Sequence, residues 1–128
     1  GSTGYANRLM YVQNLTSVTA ACVMIRREVF DRVDGFDELF ASDFNDIDLC
    51  LRIRRAGFEV IWTPFASLYH YEGLTRGRNM TLPRMTMYKV EQNLFLQRWG
   101  KTIAEGDPFY SPNLTLRTED CSLRWGGA

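Results

Sequence analysis

The stretch FNDIDLCLRIRRAG, Phe44 to Gly57, reads as a helix whose first turn carries two carboxylates, Asp46 and Asp48. Acids at a helix N-terminus need no function to explain them, because free N–H groups and the helix dipole attract negative charge there. A carboxylate at such a mouth that faces a cleft can also accept a proton, the work of a general base. Helical geometry separates the two acids. At about 100° per residue, side chains two apart diverge by about 200°. Leu49, Cys50, Ile53 and Ala56 fall within roughly 80° of Asp46, which places Asp46 on the apolar, inward face. Asp48 lies opposite with Arg52 and Arg55, where a surface ion pair explains it without chemistry. The same divergence removes a metal signature. Asp46-Ile47-Asp48 matches D-x-D as a string, but on a helix the two carboxylates could not share one ion.

His70 is the one histidine of the chain. In a strand alternate residues share a face, so Leu68, His70 and Glu72 point one way and Tyr69 and Tyr71 the other. A His beside a Glu at a strand end, entering a loop with Arg76 and Arg78, suits a divalent transition metal or a phosphate group. The same residues also fit a satisfied core or edge histidine with no ligand.

These side chains need a scaffold. Ser17 to Arg26 (SVTAACVMIR) is small, β-branched and apolar, which predicts a buried strand. Arg27 to Val33 follows as a short helix, stopped by Asp34-Gly35. Phe36 to Asn45 is an irregular acidic loop, and the helix from Asp46 stops at Gly57. Glu59 to Thr63 reads as a strand closed by Pro64, and Ser67 to Glu72 alternates like another. Gly73 to Arg78 has the composition of a loop. Beyond Pro83, Met85 to Trp99 carries Met87, Val90, Leu94 and Phe95 at helical spacing. Gly106 to Ala128 is expected to be mostly coil. The strand–helix–strand alternation belongs to the α/β class, with only about three strands.

Size and charge narrow the possibilities. With 128 residues the chain is one domain at most. Fifteen basic residues balance fifteen acidic ones, so no overall field draws it to nucleic acid or an anionic membrane. The apolar run Val18 to Ile25 is far short of the roughly 20 residues that span a bilayer. Cys22, Cys50 and Cys121 lack metal-ligand spacing, and Cys22 and Cys50 read as small buried hydrophobes in a reducing compartment. Residues 1–4, Gly-Ser-Thr-Gly, read as an expression scar.

The order of segments resembles the C-terminal half of a family 2 glycosyltransferase with the GT-A fold. The stretches that carry the resemblance are TAACVMIRREVFDRVDGFDE (Thr19 to Glu38), FNDIDLCLRIRRAG, WTPFASLYHYEGLTRG (Trp62 to Gly77) and DPFYSPNL (Asp107 to Leu114). It is most similar to bacterial enzymes of cell-surface polysaccharide synthesis, including rhamnosyltransferase-like members. The resemblance implies that residues 5–128 are the acceptor-side portion of a GT-A domain, a partial α/β fold with few strands and flanking helices. Asp46 would be the general base, taking the acceptor hydroxyl proton as the oxygen attacks the anomeric carbon with inversion. His70 would help to hold a divalent metal, Mn or Mg, on the nucleotide diphosphate, and Arg76 would meet that diphosphate. Asp37, Glu38 and Trp62 would line the sugar and acceptor cleft. The implied partners are a nucleotide-sugar donor and a glycan or lipid-linked acceptor, in the cytoplasm or at the inner face of the membrane.

The chain departs from the family pattern in places. Asn45 stands where an acid usually precedes the base, Asp34 where a second glycine is common, and Gly73 and Thr75 depart from a serine-richer loop. Phe95-Leu96-Gln97-Arg98-Trp99 lacks the first glutamine of Q-x-x-R-W, against polymer-threading chemistry. The family's nucleotide-binding half, with its metal-binding D-x-D, is not among these residues, so the isolated chain is expected to be inactive. Two other readings stand beside the enzyme: a non-catalytic module that dimerises through an exposed sheet edge, and a metal-binding regulatory domain built on His70 and Glu72.

Overall fold

One helix organises the computed structural model, which describes residues 3–71, 81–118 and 121–124. This helix, here α2, spans Asn45–Arg55. Leu49, Cys50 and Ile53 lie on one side of it and Leu51 on the other, so both sides must be covered to keep apolar surface from water. The first side packs on Val29 of α1 (Arg27–Arg32) and on Val60, with Val18, Ile25, Phe30, Val33 and Phe58 around them. The second side packs on Phe40 and on Phe95 and Trp99 of α3 (Leu82–Ala104). α2 is therefore the middle layer of three.

Its ends follow from local chemistry. At the C-terminus Gly57 takes φ 88°, a left-handed conformation that costs a residue without Cβ little. Phe58 N–H then reaches the Ile53 carbonyl at 3.2 Å and Gly57 N–H the Arg54 carbonyl at 2.9 Å. This double closure satisfies carbonyls that the helix leaves unpaired, and it swings Phe58 back onto the core. The returning chain forms β2 (Ile61–Trp62), antiparallel to β1 (Gln13–Asn14), with Gln13 opposite Trp62. Leu15 N–H donates to the Val60 carbonyl at 2.9 Å and prolongs the pairing.

Among the described residues this two-stranded pair is the whole named sheet. The architecture is a small mixed helix and strand domain, compatible with part of an α/β fold. The strand expected over Ser17 to Arg26 does not form. Ala20–Cys22 is instead a 3-10 turn, capped by the Thr19 side chain, which accepts the Ala21 N–H at 3.2 Å. β-branched composition marks a fit to a pleated, half-buried surface, and it makes a strand only where a neighbouring strand supplies the ladder. Without that neighbour Met24 is 97% exposed and Cys22 lies at the surface, contrary to its expected burial. Likewise 67–71 is exposed and unpaired rather than a strand, and Glu72 falls outside the described residues.

α3 starts earlier than its apolar spacing implies, with Pro83 in its first turn, where a missing N–H costs nothing. Its buried stripe is Glu91, Phe95 and Trp99, spaced by four, while Met87 and Val90 are about half exposed. The described part of the tail is irregular as expected, with a bridge between Leu114 and Leu123. Among the described residues no helix is long and apolar enough to cross a membrane.

Candidate functional site at the mouth of the central helix

The chain reaches the mouth of α2 through a series of constrained turns. Asp34 and Gly35 both adopt left-handed φ, 61° and 62°. A Cβ on Gly35 would come within 3.0 Å of the Phe30 ring, so glycine is required there by space as well as by angle. Asp34 tolerates the same region because its short polar side chain is among the few that do. Asp37 Oδ1 then accepts the Leu39 N–H at 2.9 Å, and Phe40 turns inward. Phe44, the residue before the helix, again has a left-handed φ of 62°. Its ring stacks on Phe95 at 5.0 Å and lies 5.4 Å from Tyr88, contacts that offset the backbone strain.

Asp46 sits on the first turn beyond this entry. Its backbone N–H donates to Asn45 Oδ1 at 2.8 Å. Its own carboxylate accepts the Ile47 N–H through Oδ1 at 2.9 Å and the Ala20 N–H through Oδ2 at 3.2 Å. The second bond ties α2 to the 3-10 turn across the first apolar layer. The side chain also borders a cavity of about 500 Å³, walled largely by aliphatic residues such as Val18, Leu49, Ile53 and Val60. Arg26, Glu59 and the Cys50 thiol are the other ionisable groups on that wall. The Asp46 carboxylate is thus half-buried, fixed in orientation by two N–H groups, and has open space beside it.

Asp48 does not face water, contrary to the single-helix reading. It is fully buried, with Arg52 Nε at 2.7 Å, Arg98 Nη1 at 2.8 Å and Trp99 Nε1 at 2.8 Å as donors. The Arg52 partnership at i+4 is as expected. Arg55 takes no part in it and lies over the Trp99 ring, 4.3 Å from its centroid. The cause is α3, which covers the face that α2 alone leaves open. Arg52 also donates through Nη1 to the Val33 carbonyl, so the buried carboxylate connects α1, α2 and α3.

The cluster extends to Asp37. Arg98 Nη1 donates to Asp37 Oδ2 at 2.7 Å, and its guanidinium lies over Phe40 at 5.1 Å. The Leu39 N–H is the main cause that holds the Asp37 carboxyl below the usual carboxylate value; burial opposes it, and the hydrogen bond and charge of Arg98 add to the lowering. The hydrogen bond to Asp48 raises Arg98 above its usual value, with Asp37 adding to it. Asp37 is thus linked to the α3 side of α2, whereas Asp46 is bonded on the α1 side. Glu38 is exposed. Trp62 is half-buried on β2 and donates its indole N–H to the Leu9 carbonyl at 3.1 Å. His70 is exposed in irregular chain beyond β2, and Arg76 lies outside the described residues.

Among the described residues no three His, Cys, Asp or Glu side chains gather as a metal site. The described residues therefore do not form a donor set for the expected Mn or Mg on their own. One residue important to the mouth escaped sequence reasoning. Glu91 is buried on α3, and its carboxylate accepts the N–H groups of Ser42, at 3.2 Å, and Asp43, at 2.6 Å. An acid spaced by four from Phe95 and Trp99 in an otherwise apolar stripe is the signal that could have found it.

Comparisons place this chain beside bacterial proteins. It is 44% identical over 126 residues to "Uncharacterized protein y4gI" of Sinorhizobium fredii, covering 95% of this chain and 14% of that protein. It is 39% identical over 114 residues to "O-antigen biosynthesis protein RfbC" of Myxococcus xanthus, covering 89% of this chain and 8% of that protein. Over 62 residues, 48% of this chain and 20% of the relative, it is 32% identical to an "N-acetylglucosaminyl-diphospho-decaprenol L-rhamnosyltransferase" of Mycobacterium tuberculosis. No family model and no solved structure matches. The chain thus spans only a small part of the relatives it matches, and the names of two of them support a glycosyltransferase-like kinship.

Proposed function

We propose that this chain is the acceptor-side portion of an inverting glycosyltransferase of family 2, built on part of a GT-A fold and acting in bacterial surface polysaccharide synthesis. The observation that carries the reading is the division of labour on α2. Asp48 is fully occupied by three donors, whereas Asp46 is oriented by two N–H groups at the border of open space. The names of the relatives supply the substrate class. In this reading Asp46 accepts the proton of an acceptor hydroxyl. That oxygen forms its bond to the anomeric carbon from the face opposite the nucleotide diphosphate. The bond from carbon to the diphosphate oxygen breaks as the electron pair leaves with the diphosphate, and the configuration inverts. In the same reading Asp37, Glu38 and Trp62, which lie outside the wall of the cavity beside Asp46, would line the sugar and acceptor cleft of the complete protein, and Arg76 would meet the diphosphate. His70 contributes to metal-dependent donor binding, so His70→Ala should weaken that binding and leave metal-independent binding unchanged.

The test is transfer from a panel of sugar nucleotides by the complete protein, with and without Asp46→Asn. Removing a general base is expected to slow transfer by about 10²–10⁴-fold while donor binding persists. Turnover at the wild-type rate would remove Asp46 from the mechanism.

A further inference from the structure

The mouth of α2 is held from outside itself. Residues 41–44 have no regular structure, yet Ser42 and Asp43 direct their N–H groups onto one buried carboxylate, that of Glu91. The next residue is Phe44, left-handed and stacked on Phe95, one turn along α3 from Glu91. Phe44 also supplies the carbonyl that accepts the Asp48 N–H at 2.8 Å, which closes the first turn around Asp46. A buried carboxylate is costly unless it is hydrogen-bonded, so Glu91 is a poor choice for a mere filler of the α3 stripe. Charge-assisted bonds to N–H groups are short and directional, and Asp43 N–H to Glu91 is 2.6 Å.

We infer that Glu91 is a positioning residue for Asp46: it fixes the entry turn at Ser42–Phe44, and that turn sets the direction in which α2 begins. This rests on the reading of Asp46 as the base. It assigns α3 a part in the reaction although Glu91 itself touches no substrate.

Amide hydrogen exchange on the full chain tests the inference. In the wild type, Ser42 and Asp43 should be protected despite lying in a loop, and exchange at free-chain rates would overturn the proposal without any variant. Glu91→Gln, which keeps the shape and one good acceptor, should speed exchange roughly tenfold or more at Ser42, Asp43, Asp46, Ile47 and Ala20. Exchange at the far end of α2, around Ile53, should stay within about twofold. Glu91→Asp, which keeps the charge, should fall between. Uniformly faster exchange along α2 would show a general loss of stability and overturn the positioning role. In the transfer assay, Glu91→Gln should lower kcat roughly 10–100-fold with the donor KM unchanged, as a slightly misplaced group does. A raised KM with unchanged kcat would also overturn it. If Asp46→Asn transfers normally, the base reading fails, while the exchange data still decide whether Glu91 holds the mouth.

Discussion

The two sides of α2 are built on different plans. Toward α3 the helix meets aromatic rings and a buried ion cluster: Phe40, Phe95 and Trp99 pack on Leu51, and Arg52, Arg98 and Trp99 saturate Asp48. Toward α1 it meets aliphatic side chains with a cavity of about 500 Å³ among them, and Asp46 at its border. One acid secures the fold and the other, two residues away, is left beside space. Position on a helix decides between such roles only through what covers each face.

The sharpest way to break the contrast is at Asp48. Asp48→Ala leaves the Arg52 guanidinium without a carboxylate and the buried Trp99 N–H without an acceptor, while Arg98 keeps only Asp37, and it should cost about 3–5 kcal/mol in urea unfolding. Asp46→Ala should cost less than about 1 kcal/mol, since it gives up two N–H contacts at a half-exposed site. Equal losses would mean that the sides are not distinct. Next come the leucines. Leu51→Ala empties a filled layer and should cost about 3 kcal/mol, near the middle of the range for such truncations. Leu49→Ala should cost roughly 1 kcal/mol less, because atoms that line a void already lack partners on one side.

A smaller effect concerns acid. Asp37 has its carboxyl lowered from 3.8 in the fold, so the native state binds fewer protons than the unfolded chain just below that value. Its stabilisation is complete above the unfolded value and is lost as pH falls through the lower, folded one. Stability curves of the wild type should therefore drop below about pH 4, and Asp37→Asn should flatten that limb. A curve unchanged by the substitution would remove Asp37 from the cluster's energetics. The mildest test is chemical. Burial, and less strongly the nearby Asp46, push the Cys50 thiol up, whereas Cys22 is exposed. Cys22 should react with a thiol reagent first, and Cys50 only when the α1 side opens.

The helices were legible because each writes its own period and its own stop. Asp34-Gly35 ends α1, Gly57 ends α2, and Phe95 and Trp99 mark the seam of α3. The inward set Leu49, Cys50 and Ile53 followed from the same arithmetic. What a helical wheel cannot contain is the second cover. A wheel leaves Asp48 exposed because Arg98 and Trp99 lie about fifty residues along the chain, and nothing local announces them. The failed strand at Ser17 to Arg26 has a related origin, since strand formation depends on a neighbour that the segment itself does not encode. Of the candidate site, the local position of Asp46 could be read, while its anchorage to Ala20 and the support from Glu91 could not.

The return from Gly57 into β2 also constrains how this chain can change over time. Val60 is buried, Ile61 is exposed, and Trp62 turns back to bond Leu9, a strict alternation of sides. Deleting or inserting one residue at Phe58–Glu59 would reverse every side chain that follows, exposing valine and burying isoleucine against the wrong wall. The spacer must therefore keep its count whatever side chain stands at Glu59, so drift at this corner should proceed by substitution and not by indels.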